Sequence, residues 1–376
     1  MANTLTNLTP DLYEALDVVS RELVGFIPSV TMDANASRAA LNQTIRSPIA
    51  PVATAADVTP AVNQPDSGDN TFTNKTLSIT KSRAVQVRWN GEEQLGMNTG
   101  IGYRNLLRDQ FAQAMRTLAN EVESDLAGEY VKASRAYGTA GTTPFASDLS
   151  DTAQIRKILA DNGAPLSDMQ LVIDTAAGAK MRTLTQLNKA NEAADSSLLR
   201  QGVLLDIHGM QIRESAQVKS HTKGTGTSYV TNGTFSEGDT TIAIDGGSGT
   251  VLAGDIVTFA GDSNKYVVET ALGGGNIVIG GPGLQQDLAD GVAMAVGNDY
   301  TANAAFSRSA FVLATRVPAR PVEGDKAEDV TIIQDPRSGL AFEVAVYPGY
   351  RQINYEISLA WGWNLIKGEH SGLLLG

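Results

Sequence analysis

The sequence predicts an α+β fold in which a long helix lies beside a long strand and a small β-barrel interrupts the main domain. Apolar residues recur at helical spacing from Tyr103 to about Arg135. Every second residue from Ile353 to Leu365 is apolar, which is the pattern of a strand. Residues 222–301 contain short strand patterns separated by glycine-rich turns. At about 1.5 Å per residue the helix would be roughly 50 Å long, although Gly128 interrupts the run at a cost of about 1 kcal/mol relative to Ala and allows a bend or an early end there. We therefore expect the helix and the long strand to form the centre of the molecule.

The composition limits the classes of function. The chain has 376 residues, no cysteine and a formal net charge of −12. Disulfides, thiolate metal sites and thiol nucleophiles are therefore excluded, and the negative charge argues against binding a phosphate backbone as the main activity. The first residues lack a secretory signal, and no window approaches the ~18 apolar residues of a membrane span. We expect a cytoplasmic product of two or three domains, with no membrane partner.

The N-terminal segment, residues 1–43, is predicted to contain one helix. Thr9 offers a capping hydroxyl before Pro10, which suits the first helical position. An apolar stripe follows and stops before Gly25. We expect a helix from about 10 to 24.

Residues 44–90 are predicted to form an extended loop, or arm hairpin. As far as Lys75 the segment is rich in Pro, Thr, Ala and Asn, without helical period, so it cannot form a core of its own. A strand follows in which Lys81 and Arg83 interrupt an apolar face that ends at Trp89. A loop of this kind is either disordered or lies on a neighbouring subunit.

The long helix and its flanks occupy residues 91–150, and a mixed domain in two parts follows. The first part, 151–221, contains a helix at 150–160, a buried strand at 169–173, a helix at about 175–187 and a tight turn at His208-Gly209. The second part, 302–376, ends in a long hairpin that turns at Tyr347–Tyr350. Residues 222–301 are inserted between these parts as a small β-barrel domain.

No motif for catalysis or for a cofactor is found. His208, His221 and His370 lack metal-ligand spacing and are predicted to be turn or surface histidines. No Gly-x-Ser-x-Gly elbow is present, and the glycine runs of 222–301 neither open a helix nor carry the lysine of a phosphate-binding loop. We expect no catalytic residue, no cofactor and no metal, although carboxylate pairs leave little local trace in a sequence.

Taken in order, these features resemble the major capsid proteins of tailed bacteriophages, and most closely the coat proteins of short-tailed Salmonella phages. The stretches that carry the resemblance are Ala305–Leu313, Asp335–Phe342, Gly349–Tyr355 and Trp361-Gly-Trp363. It covers nearly the full length and is weakest at the N terminus and in the arm. The resemblance implies the Hong Kong phage capsid fold, with a long spine helix, an extended arm, peripheral and axial domains and an inserted β-barrel.

The resemblance also implies a function and partners. Copies of the chain would assemble as pentamers and hexamers into an icosahedral head shell around double-stranded DNA, which is enclosed without sequence-specific binding. A separate scaffolding protein, a portal protein and a possible decoration protein are the other implied partners. The implied location is the virion, after assembly in the cytoplasm of a bacterial host.

The charged residues of the arm and of the long helix are the candidates for contacts between copies. Side chains two positions apart on a helix point in different directions, so the crowded helix carboxylates favour a solvated or interface face over acid–base chemistry. An arm that lies on a neighbour can bring its cations to these carboxylates. The pairs predicted between copies join Lys81, Arg83 and Arg88 with Glu121, Glu123 or Asp125.

Two other functions stay open from the sequence. A cellular encapsulating shell of the same fold would hold enzyme cargo, and the β insertion argues modestly against it. A carbohydrate-binding or glycan-cleaving protein is suggested by the β-rich region with its carboxylates. Such sites present exposed aromatic residues, and 222–301 contains few: Tyr229, Phe235, Phe259, Tyr266 and Tyr300.

Overall fold

The computed structural model describes most of the chain. The described residues are 12–13, 15–16, 25–49, 57–58, 60, 73–97, 103–188, 206–335 and 339–376. Most of the helix predicted at about 10–24 lies outside these ranges, as do residues 50–56, 59 and 61–72 of the predicted arm loop. Of that helix, Leu12, Ala15 and Leu16 are helical and buried.

The described residues contain the following elements. The helices are α1 (Gly91–Met97), α2 (Tyr103–Ala127), α3 (Ser150–Asp161), α4 (Thr175–Thr183) and α5 (Thr185–Asn188). The strands of the first half are β1 (Thr31–Ala39), β2 (Thr44–Ile49), β3 (Thr73–Ser78), β4 (Lys81–Asn90), β5 (Arg135–Tyr137), β6 (Met169–Ile173), β7 (Met210–Glu214) and β8 (Ser220–His221). The next are β9 (Tyr229–Thr231), β10 (Thr241–Asp245), β11 (Ile256–Phe259), β12 (Lys265–Gly273), β13 (Asn276–Ile279) and β14 (Ala293–Val296). The last are β15 (Tyr300–Ser307), β16 (Phe311–Pro318), β17 (Asp329–Gln334), β18 (Ala341–Gly349), β19 (Gln352–Leu365) and β20 (Ser371–Leu375).

The long helix α2 ends earlier than the sequence predicted. It stops at Ala127 after 25 residues, about 37 Å at ~1.5 Å per residue, and not near Arg135. Gly128, a poor helix former, opens a short 3-10 turn, Gly128–Lys132, and the chain then extends into β5. The apolar stripe that predicted the helix is buried: Leu107, Phe111, Met115, Leu118, Val122 and Leu126. No helix of the described ranges is long and apolar enough to cross a membrane.

The long strand β19 organises a six-stranded sheet. Its 14 residues pair with β18 and then β16 along one side, and with β4 along the other, while β1 and β17 lie at the ends. The helix α2 packs on this sheet, where the Phe111 and Tyr355 rings meet edge to face at 5.4 Å. The predicted centre, a long helix beside a long strand, is confirmed.

The strand β4, predicted as the last strand of the arm, pairs with the long strand of the six-stranded sheet. It runs antiparallel to β19, with Lys81 opposite Trp361 and Asn90 opposite Gln352. The physical reason is its alternation, because Trp89 and its same-face neighbours pack into the core under α2. Earlier in the predicted arm, β2 pairs with β3 in antiparallel fashion.

The second sheet joins a closed β-barrel to the mixed domain. The order β11-β14-β9-β10-β13-β12 closes because β11 also pairs with β12. The predicted barrel is confirmed. From β12 the sheet continues through β5, β20, β15 and β6 to β7, so the barrel is hydrogen-bonded into the neighbouring sheet by β5.

The mixed domain follows the predicted order with two differences. The predicted tight hairpin at His208-Gly209 is present as one antiparallel bridge between Ile207 and Met210, with positive φ at both turn residues, but β7 beyond it pairs in parallel with β6. The helix predicted at 175–187 is split, because Leu184 has an extended backbone between α4 and α5.

Candidate functional site

Four of the predicted contact residues meet where α2 lies against β4 and β19. Lys81 Nζ is 3.1 Å from Glu121 Oε1 and 2.8 Å from Asp125 Oδ1. Arg83 Nε is 3.2 Å from the same oxygen of Glu121. Burial alone would lower the pKa of Lys81, but its hydrogen bonds with Asp125 and Glu121 together raise it above the ordinary value.

These four residues pair within one copy, whereas the sequence predicted pairs between two copies. The register of β4 against β19 sets Lys81 beneath the helix, and carboxylates four residues apart lie on the same helical face. The chemistry of the prediction therefore holds, and its assignment to a second copy is corrected for Lys81 and Arg83.

Two tryptophans of β19 complete this contact. Trp361 Nε1 donates to Asp125 Oδ2 at 2.9 Å, and Trp363 Nε1 donates to Glu129 Oε1 at 3.1 Å. The ammonium of Lys81 lies 5.8 and 5.7 Å from the two indole centroids, within cation–π range. We call this group the charged seam; its members are Lys81, Arg83, Glu121, Asp125, Glu129, Trp361 and Trp363. The sequence analysis did not include Glu129 and the tryptophans in the contact, although Glu129 continues the spacing of four into the turn that follows α2.

Glu123 does not belong to the seam and cannot touch another copy, because it is 0% exposed. Its carboxylate accepts the backbone N–H groups of Gly25 at 2.5 Å, Phe26 at 2.6 Å and Ile27 at 2.9 Å. Burial raises the pKa of Glu123, and these backbone hydrogen bonds oppose the rise. The predicted role between copies is wrong for this residue, which instead fixes the segment that begins at Gly25 to α2.

Arg88 lies on β4 opposite Asn354 and is exposed. It makes no ion pair with any of the described residues. Its contact with another copy stays a prediction.

His221 was predicted to be a turn or surface residue and is buried in a polar chain. His221 Nδ1 lies 2.8 Å from Tyr130 Oη, and its Nε2 lies 2.8 Å from Asp255 Oδ1. Burial raises the pKa of Tyr130, and the charge of Asp255 adds to the rise. Gly254 must lack a side chain, since it has φ 95° and a Cβ there would lie 2.9 Å from the rings of both His221 and Tyr130. The polar chain ties the turn after α2 to the barrel.

This polar chain resembles a catalytic relay only in composition. Asp255 is 0% exposed and His221 is 7% exposed, so a substrate cannot reach the two hydrogen-bonded nitrogens. Within the described ranges, no cluster of three or more His, Asp or Glu side chains is placed to hold a metal ion. The arrangement of the seam and the polar chain serves to join elements.

Comparison with known proteins identifies the fold. No protein-family model and no curated protein matches the sequence. The capsid structure of the cyanophage P-SCSP1u matches with a TM-score of 0.52 and 11% identity over 94% of this chain and 88% of that chain. A protein of Mycobacterium phage Che8 gives 0.46 and 13% over 89% and 84%, and the virus-like particle from Pyrococcus furiosus gives 0.43 and 10% over 97% and 96%. At these identities the likeness shows the fold alone, which is the α+β capsid fold of the Hong Kong phage type with an inserted barrel.

Proposed function

We propose that this chain is a major capsid protein whose copies assemble into the icosahedral head shell of a tailed bacteriophage. The observation that supports the proposal best is the fold, since the cyanophage capsid structure matches 94% of this chain with a TM-score of 0.52. The role is structural and not catalytic. The presence of a small barrel favours the type found in short-tailed Salmonella phages.

The proposal includes the finer features of such a shell. Pentamers and hexamers of the chain enclose double-stranded DNA, and a scaffolding protein, a portal protein and a decoration protein act as partners. A chain with a net charge of −12 suits an enclosure that must not hold the DNA by its phosphates. The virion is the proposed location, after assembly in the host cytoplasm. Arg88, exposed on β4, is the predicted contact residue that we retain for a second copy.

The domain boundaries of the proposal are those predicted from the sequence. They are the N-terminal segment 1–43, the extended loop 44–90, the spine and peripheral part 91–150, the axial domain 151–221 with its second part and long hairpin at 302–376, and the barrel 222–301. The barrel strands of the structure, β9 to β14, lie inside the last of these ranges.

The barrel gives no support to the carbohydrate alternative. Tyr229, Phe259 and Tyr266 pack in the barrel core, and Tyr300 packs in the core beside α2; each is 8% exposed or less. Phe235 is partly buried against the barrel core. A sugar site would need aromatic faces open to solvent, and these rings are used for packing.

The test is particle formation. The chain is expressed with and without its neighbouring phage genes, sized by light scattering and viewed by negative-stain electron microscopy. We expect closed shells, tubes or rings of five and six copies. A stable monomer under both conditions would contradict the proposal. Nuclease-protected double-stranded DNA in particles isolated with the full gene set would separate a genome shell from an enzyme-cargo shell.

A further inference from the structure

The tip of the hairpin between β18 and β19 projects an aromatic residue and a cation. Gly349 pairs with Gln352, so Tyr350 and Arg351 form the two-residue turn. Tyr350 is 89% exposed, and the guanidinium of Arg351 lies 5.8 Å from its ring centroid. We call Tyr350 and Arg351 the hairpin knob.

The backbone of the knob suits a different residue. Arg351 has φ 54°, a left-handed conformation that favours glycine or asparagine at the second position of such a turn. The chain therefore carries a large cationic side chain where folding alone favours glycine. Local conflicts of this kind tend to occur at functional positions.

A cleft of about 750 Å³ opens beside the knob. Its floor includes the apolar residues Trp89 and Ile353, which are almost fully buried, and most of its other lining residues are polar. Its rim is acidic, because Glu92 at the start of α1 and Glu328 before β17 line it and are exposed. We call this the tip cleft.

The charges of the knob and the cleft are not neutralised within one copy. Among the described residues, neither Arg351 nor Glu92 nor Glu328 makes an ion pair, although all three line the same cleft. Each therefore remains available to a charge from outside the chain. Tyr and Arg are the residue types that dominate binding energy in protein interfaces, and they do so when they enter a desolvated pocket.

We propose that the hairpin knob of one copy docks into the tip cleft of a second copy. The Tyr350 ring packs over the floor residues Trp89 and Ile353, and Arg351 reaches the rim carboxylates Glu92 and Glu328. Because knob and cleft lie side by side on one surface patch, each of two copies can place its knob in the cleft of the other, which makes the contact reciprocal about a twofold axis. The inference rests on the proposed self-assembly and names a surface that performs it.

Complementary chemistry indicates that the occupant of the tip cleft is a second copy of this chain. An aromatic ring with an attached cation meets the apolar floor residues and an acidic rim, and both halves are present on this chain. Further apolar surface lies nearby: Leu95, on the α1 helix that borders the cleft, is 73% exposed. Gly91 N donates to Arg351 O at 3.2 Å, so the knob and the helix that carries Glu92 are held together as one unit.

The test exchanges the charges. Arg351→Glu, and separately Glu92→Lys with Glu328→Lys, should each raise the concentration needed for assembly about tenfold or more, which corresponds to ~1.4 kcal/mol per contact. The combined variant should return to within about threefold of the wild type, and Arg351→Lys should stay close to it. Assembly is followed by light scattering and electron microscopy of the full chain.

Arg351→Gly separates folding from docking. Glycine fits φ 54° without strain, so the melting temperature of the unassembled chain should stay equal or rise while assembly weakens. Normal assembly of this variant and of both charge reversals would overturn the knob-and-cleft contact and leave the proposed function standing. Normal assembly with loss of a different virion protein would assign the tip to that protein and also overturn the contact. If the wild type itself stays monomeric, the proposed function fails and the contact fails with it.

Discussion

At the scale of single residues, the buried carboxylate of Glu123 holds the segment that begins at Gly25 against α2. Three consecutive N–H groups converge on it, from Gly25 to Ile27, at the start of a 3-10 turn, Ile27–Ser29, whose first donors need acceptors. A buried charge is tolerated when several donors surround it. The position of the N-terminal segment on α2 therefore depends on a residue that sequence reasoning assigned to the surface.

Glu123→Gln should lower the free energy of unfolding by about 1–3 kcal/mol. The amide nitrogen of glutamine is a donor, so it must face at least one of the backbone N–H groups that the carboxylate accepts. Chemical denaturation of the unassembled chain measures the loss. The control is Glu121→Gln on the partly exposed face of α2, which should cost less than about 1 kcal/mol. Equal losses for the two variants would contradict the assigned role of Glu123.

His370 makes the stability of the chain sensitive to acid. Burial lowers its pKa below the ordinary value of about 6.5, and the nearby charge of Lys367 adds to this effect. The unfolded chain then takes up a proton more readily than the folded chain. The contribution of neutral His370 is therefore present above about pH 6.5 and is lost as the pH falls through the lowered pKa.

Comparison of His370→Gln with the wild type isolates this effect. The free energy of unfolding should fall less steeply in the variant between about pH 7 and pH 5, because a glutamine does not titrate. Denaturation curves at several pH values give the two slopes. Parallel slopes would show that His370 is not the group responsible.

At the scale of elements, the charged seam joins α2 to the sheet below it. The fully buried Trp361 gives its indole N–H to Asp125, and Lys81 gives a charge to the same carboxylate from β4. One side chain of the helix therefore holds two strands at once. Hydrogen bonds that involve an ionised group are about twice as strong as neutral ones.

Trp361→Phe should lower the free energy of unfolding by about 1–3 kcal/mol, because a partly buried carboxylate loses a donor while the ring stays apolar. Trp363→Phe is the matched control. Trp363 is partly exposed whereas Trp361 is fully buried, so water can replace the lost donor at Trp363 and we expect the smaller loss for this variant. A double-mutant cycle of Trp361→Phe with Asp125→Asn should give a coupling energy of about 1 kcal/mol. If the losses of the two single variants simply add in the double variant, the assigned hydrogen bond between Trp361 and Asp125 is contradicted.

The long helix and the long strand were predictable because the spacing of their apolar residues repeats many times. The stripe on α2 and the parity of β19 each gave an element of the right kind in the right place. Short strands were predicted for residues 222–301 as a region, but β9 and β14 were not located individually. The end of α2 at Ala127 was allowed by Gly128 but not fixed by it, because a single glycine changes helix propensity by only about 1 kcal/mol.

The sequence could not predict which residues pair with the predicted site residues, and the reason is different. Spacing placed Glu121 and Asp125 on one face of a helix, but no local pattern states which cation faces them. That depends on the register of β4 against β19, which sets Lys81 opposite Trp361. Long-range register is a property of the whole core and not of any short stretch.

At the scale of the whole molecule, the barrel is continuous with the second sheet, the one that contains β5, β20 and β15. It is therefore more than a separate insertion. Lys265 and Tyr266 of β12 pair with Ala136 and Arg135 of β5, and the polar chain through His221 adds a second attachment. Two independent attachments fix the barrel against the turn that follows α2. In the proposed shell, a load on the barrel would pass into the sheet that carries the C-terminal strand β20.

The pairing of β4 with β19 joins a strand that is synthesised early to one that is synthesised late. Trp361 and its acceptor Asp125 are 236 residues apart, and a ribosome adds about 5–20 residues per second. For on the order of ten to fifty seconds, a nascent chain therefore displays α2 and β4 without the strand that covers them. The hairpin knob lies at the start of that same late strand. A growing chain thus has no docking tip until it can complete its own core, so synthesis itself delays association until folding is within reach.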